Sequence, residues 1–123
     1  MDFAVFVEYA LNEVKPQGRT EGISMYAMTG RLVAQLGKRG ELVHILKQAA
    51  DLVGEVPACR MYIVCEDLSN DTHVWVFEAW DDREAHDASL TDERVRALIA
   101  EARPLLAAAP DGAELEVAGG YGI

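Results

Sequence analysis

Basic side chains are scarce in this 123-residue chain, with 11 Lys and Arg against 21 Asp and Glu, for a net charge of −10 and a pI near 4.6. A surface of that sign repels phosphate backbones and anionic lipid headgroups, so neither nucleic acid nor a membrane surface is expected as a partner. Cysteine is nearly absent. Cys59 and Cys65 fall in one run that reads as a strand, where about 3.3 Å per residue puts their Cα atoms roughly 20 Å apart, beyond disulfide reach. Two thiols without an internal partner fit a reducing compartment, and the expected location is cytoplasmic. Long apolar runs are missing too: no window approaches the ~18 residues of a spanning helix. The apolar stretch 3–11 carries Glu8, follows Asp2 and lacks a small-residue cleavage site, so it does not read as a signal peptide. Glycines cluster only at Gly119, Gly120 and Gly122 with no helix after them, which excludes a nucleotide-cradling loop. His44, His73 and His86 lie far apart without ligand spacing, which gives no metal signal.

What the chain has in quantity is apolar surface, 50% of residues against 26% charged, enough for one core without disulfides or a structural metal. Phe3, Val7, Leu11 and Val14 recur at helical spacing and Pro16 ends the run, so residues 1–23 read as a helical extension and linker before a domain over 24–123. Within that domain, residues 25–36 read as a strand with a bulge or close backbone approach at Gly30. Leu42, Ile45, Leu46, Ala49 and Val53 mark one face of a helix that stops at Gly54. Residues 58–66 and 72–80 form two strands joined by a turn of Asp, Ser and Asn, the pattern of an antiparallel hairpin. Asp82 caps a helical turn over 83–89. Thr91 caps a longer helix with a stripe of Val95, Leu98, Ile99, Ala102 and Leu106, which Pro104 kinks or restarts at Arg103. Residues 113–118 alternate like an edge strand. The order βαββαβ predicts a ferredoxin-like α+β fold, an antiparallel sheet with helices on one face.

Strand 72–80 is apolar on both faces. Val74, Val76, Glu78 and Trp80 share one face and His73, Trp75, Phe77 and Ala79 the other, yet two helices cover only one side of a sheet. The second face predicts a homodimer packed sheet to sheet, which would keep Trp75 and Phe77 out of water. Glu78, a carboxylate on an otherwise apolar face, needs a partner or a raised pKa, and Arg60 or Arg31 is the expected ion-pair partner. Tyr62 shares Trp80's face if the hairpin pairs residue 66 with 72, and a one-residue slip would reverse it. His44 falls on the solvent side of its helix, and His73 on the expected dimer seam.

The segment Val76-Phe-Glu-Ala-Trp80-Asp-Asp-Arg-Glu-Ala-His86-Asp-Ala-Ser89 resembles the signature of the antibiotic-biosynthesis monooxygenase (ABM) family, which includes quinol monooxygenases: a strand ending in Glu-x-Trp, an acidic helical turn, then His and Ser. Pro57-Ala-Cys59-Arg-Met-Tyr62 stands where such proteins carry a Gly-Cys turn leading to a strand tyrosine, with Ala58 in place of the glycine. The resemblance runs over roughly residues 25–118 and implies a dimeric α+β barrel that oxidises phenols or quinols with O2, without metal or flavin. It implies His86 as the base and Trp80 and Tyr62 as pocket walls, with Glu78 orienting a group and no cofactor. The substrate expected is a small aromatic quinol or phenol. Heme-degrading relatives carry an asparagine on the first strand, where this chain has Met28, Thr29 and Gly30, so heme breakdown is not expected. Two other readings fit the same residues: a non-catalytic dimeric module that binds a small ligand or a protein, and an isomerase or decarboxylase of a small oxygenated metabolite.

Overall fold

The computed structural model describes residues 25–123; the helical extension read from residues 1–23 lies outside them. Strand β1 (Tyr26–Val33) leads to helix α1 (Arg39–Val53), then to the hairpin β2 (Cys59–Glu66) and β3 (His73–Trp80). Two helices, α2 (Arg83–Ser89) and α3 (Glu93–Ala102), a 3-10 turn (Arg103–Leu105) and strand β4 (Asp111–Glu116) complete the domain. The sheet is antiparallel in the order β2-β3-β1-β4. That order and the element sequence define a ferredoxin-like α+β fold.

The helices cover one face for the reason that their apolar stripes predict. Leu42, Ile45, Leu46 and Ala49 of α1 and Leu98 and Ala102 of α3 pack with Leu32, Val74 and Val76 of the sheet into one buried cluster. A second cluster joins Tyr26, Met28, Val53, Trp80 and Val95. The Asp82 carboxylate accepts the Ala85 amide and caps α2 as expected. Helix α3 is capped by Asp92, which accepts the Arg94 amide, and not by Thr91, whose hydroxyl donates to the Ala88 carbonyl. Pro104 ends α3 where predicted, and the chain tightens into the 3-10 turn. Leu106 therefore lies beyond the helix.

The strands depart from their expected limits in instructive ways. β1 stops at Val33 and β4 begins two residues before the expected Ala113. Gly30 sits in regular register between Val76 and Gly112, so it is not a bulge; the irregularity lies in β2 between Cys59 and Met61. The hairpin pairs Glu66 with Val74 rather than with residue 72. A slip of two preserves facing, so Tyr62, opposite Glu78, lies on the helix-covered side with Trp80. Both cysteines are free. The hairpin turn is tied down by Arg39, whose guanidinium donates to the Asp67 and Asn70 carbonyls at 3.1 and 2.9 Å. Asp67 accepts the Ser69 amide and the Trp75 indole N–H, and these bonds, led by Trp75, hold its carboxyl below the usual range. Among the described residues no helix is long and apolar enough to cross a membrane.

Candidate functional site

A cavity of about 70 Å³ lies between the sheet and the helices. Its walls are apolar, from Met28, Leu32, Ile45, Leu46, Val95 and Leu98 among others, and its polar groups come from Tyr62, Glu78, His86 and Ser89. Gly30 also faces it: between the inward Met28 and Leu32, a residue without a side chain leaves the space open. A Cβ built there would come no closer than 3.6 Å to the Asp111 carbonyl, so the backbone tolerates a side chain and the hollow is what glycine preserves.

Alternation along β3 points Glu78 and Trp80 inward together, and the Trp80 indole N–H donates to Glu78 Oε1 at 3.0 Å. Helix α2 begins three residues later and brings His86 back over the same end of the sheet, 2% exposed. Its Nε2 stands 3.8 Å from Glu78 Oε1 and its Nδ1 is 3.0 Å from Asp87 Oδ1. The ring is held between Tyr26, centroids 5.0 Å apart, and the edge of Trp80 at 5.7 Å. The Ser89 hydroxyl donates to the His86 carbonyl and ties the end of α2.

Electrostatics follow burial. Desolvation pushes the Glu78 carboxyl above its ordinary value, opposed by the nearby imidazole and by the Trp80 bond. Burial, then Glu78, pushes Tyr62 well above the usual phenol range, which leaves it a neutral hydrogen-bond donor at cellular pH. Cys59 is raised in the same way, first by burial and then by Glu78, so it stands as a thiol rather than a nucleophilic thiolate.

Of the four residues singled out from sequence, Tyr62, Glu78 and His86 line the hollow together, whereas Trp80, expected as a pocket wall, lies behind them, bonded to Glu78 and packed edge-on against His86. The expected ion pair does not form: Arg60 binds Asp81, and Arg31, on the opposite sheet face, binds Asp111. Glu78 is partnered instead by an indole and an imidazole. Sequence reasoning missed Gly30 as a wall of the cavity, Tyr26 against the His86 ring, and Arg83, which joins Asp87 at 3.4 Å and Glu114 at 2.9 Å. The four-residue spacing of Arg83 and Asp87 on a helix was a readable signal for the first of these pairs. The contact to Glu114 crosses from helix to edge strand and had none. Among the described residues no three His, Cys, Asp or Glu side chains converge as a metal site would require.

A ferredoxin-like sheet whose covered face holds a largely apolar cavity with one titratable end defines a class of small α+β proteins built around an internal pocket. The family model described as antibiotic biosynthesis monooxygenase matches residues 25–101, and the chain belongs to that family. A Chloroflexus aurantiacus J-10-fl protein, named provisionally as an antibiotic biosynthesis monooxygenase, is 38% identical over 81% of this chain and 99% of its own, with a TM-score of 0.74. A Caulobacter crescentus CB15 protein with the same provisional name is 21% identical over 78% of this chain and 92% of its own, TM-score 0.74. A conserved Methanosarcina mazei Go1 protein is 14% identical over 76% of this chain and 92% of its own, TM-score 0.70. The last two likenesses concern the fold alone. No curated protein sequence matches the chain.

Proposed function

We propose that the protein is a cofactor-independent monooxygenase of a small aromatic phenol or quinol. The observation that carries this reading is the pairing of Glu78 with His86 at the polar end of an otherwise apolar hollow. A phenol entering ring-first buries its ring among Met28, Leu46 and Val95 and leaves its hydroxyl at the imidazole. His86 Nε2 takes the hydroxyl proton, and the phenolate, now electron-rich, passes one electron to O2. The aryloxyl radical and superoxide join at a ring carbon, the peroxide oxygen recovers the proton from His86, and water leaves with the ring hydrogen. Phenol and O2 thereby give quinone and water, with no other reductant. Neutral Tyr62 donates to the substrate oxygen, and dry walls strengthen these few polar contacts.

Size restricts the substrate. A cavity of roughly 150 Å³ admits benzene, about twice the present hollow of about 70 Å³, so a single ring enters only as the hollow widens, and larger polycycles are disfavoured. Metal-free protein incubated with simple hydroquinones should consume O2, and His86→Ala should lower the rate by about 100-fold or more. An unchanged rate would remove His86 from the chemistry. The same proton-handling pair also serves an isomerase, and turnover without O2 would establish that reading instead.

The homodimer belongs to the same proposal. On the sheet face away from the helices, Phe77, Ile63 and Leu115 are 37%, 46% and 48% exposed, and the buried Thr29 hydroxyl on that face has no hydrogen-bond partner among the described residues. A second copy laid face to face would cover the apolar group. Mass measurement in dilute solution should return two chains; a well-folded single chain would overturn this.

A further inference from the structure

We propose that Asp87 is a positioning residue: it holds the proton of the His86 ring on Nδ1 so that the Nε2 lone pair faces the cavity. The inference rests on the reading of His86 as the base, and adds what makes that nitrogen available.

An imidazole presents an acceptor on one nitrogen only when its other nitrogen carries the proton, and the partner of that other nitrogen decides which. For His86 the outward nitrogen is Nδ1, 3.0 Å from Asp87 Oδ1, and a carboxylate oxygen can only accept there. Nε2 is left turned inward, toward Glu78. The ring cannot readily turn over, since Tyr26 and Trp80 pack on it.

Asp87 is itself held. Its second oxygen, Oδ2, lies 3.4 Å from Arg83 Nε, one turn back on α2. Arg83 donates to Glu114 Oε1 at 2.9 Å, and Glu114 Oε2 accepts the Tyr26 hydroxyl at 2.8 Å. A chain of charge-assisted bonds therefore runs from the edge strand β4 through Arg83 and Asp87 to the ring, and Tyr26 closes it by packing on that ring. The groups that face His86 are thus Glu78 from β3, Asp87 from its own helix, backed by Arg83, and Tyr26 from β1, whose hydroxyl is committed to β4. Of these only Asp87 engages Nδ1. When Nε2 takes a proton, the imidazolium keeps its Nδ1–H bond to Asp87, and when Nε2 returns that proton the ring resumes its starting form. Asp87 gains and loses none.

The test is Asp87→Asn, read in two ways. In ¹⁵N-labelled wild-type protein, the neutral His86 ring should be the Nδ1–H tautomer by imidazole nitrogen shifts; the asparagine amide, able to donate to Nδ1, should raise the share of Nε2–H. In hydroquinone turnover the same variant should lose roughly tenfold or more in kcat with little change in KM, the pattern of a wrong tautomer rather than of lost binding. Asp87→Glu should recover part of the rate. A wild-type ring found as Nε2–H, or a variant with unchanged tautomer and kcat, would overturn the proposal. Absence of turnover in the wild type would count against the oxygenase reading alone, because the nitrogen shifts still report the role of Asp87.

Discussion

Glu78→Gln should make the protein more stable at neutral pH while lowering its activity by about 100-fold or more. Activity falls because the new amide can donate to His86 Nε2 and occupy the lone pair that takes the substrate proton, and stability rises because a buried charge is removed. Burial holds the Glu78 carboxyl above its ordinary value, so the folded chain binds this proton more tightly than the unfolded chain does. Stability from this group is then fully present below the unfolded value, about 4.3, and is lost as pH rises from there through the folded value. A glutamine has no charge to desolvate. Its carbonyl still accepts the Trp80 N–H, and its amide can donate to His86 Nε2. The gain should be on the order of 1 kcal/mol, a few degrees in Tm, visible at pH 8 and gone near pH 4. Thermal unfolding of both proteins at the two pH values checks it. A variant less stable than wild type at pH 8 would show that the carboxylate is a net structural asset.

How far such a site can be foreseen depends on the range of the interactions that build it. The periods of Val74, Val76 and Trp80 on one side, and of Leu42, Ile45 and Leu46 on another, record which surfaces leave water, and they suffice for the order of elements and the helix-covered face. They suffice also to bring Glu78, Trp80 and Tyr62 to that face, since a two-residue error in hairpin register leaves every side chain on its own side. Local competition between neighbours was harder to read: Thr91 and Asp92 are both good caps, and the carboxylate, one residue nearer the helix, takes the role. Long-range pairing was hardest. Charge alone suggested Arg31 or Arg60 for Glu78, but in the observed register Arg31 opposes Trp75 on the other face. The true partners, an indole two residues on and a histidine brought back by α2, do not stand out in a search for opposite charge. Gly30 shows the remaining gap, because a glycine whose purpose is an absent side chain looks in sequence like one required by backbone conformation.

Trp80→Phe should separate the structural from the functional duty of the most buried aromatic in the site. Trp80 is 0% exposed, and truncation to alanine should cost roughly 3–5 kcal/mol, a large part of the 5–15 kcal/mol that holds a domain together. Little folded protein would then remain to assay. Phenylalanine keeps most of the apolar contact with Met28, Val53 and Val95 but removes the N–H that Glu78 accepts at 3.0 Å. That bond favours the ionised carboxylate, so without it the Glu78 value should climb further from its ordinary position, which a carbon-detected titration of the glutamate carboxyls would register. Linkage then sets the sign of the stability change. With the folded value higher still, the stability lost on raising the pH grows, so the deficit of Trp80→Phe against wild type should be wider at pH 8 than at pH 4. Loss of packing alone would give the same deficit at both. A pH-independent deficit with an unmoved Glu78 titration would mean that the indole bond does little to the carboxylate and that Trp80 serves the site only as core packing behind it.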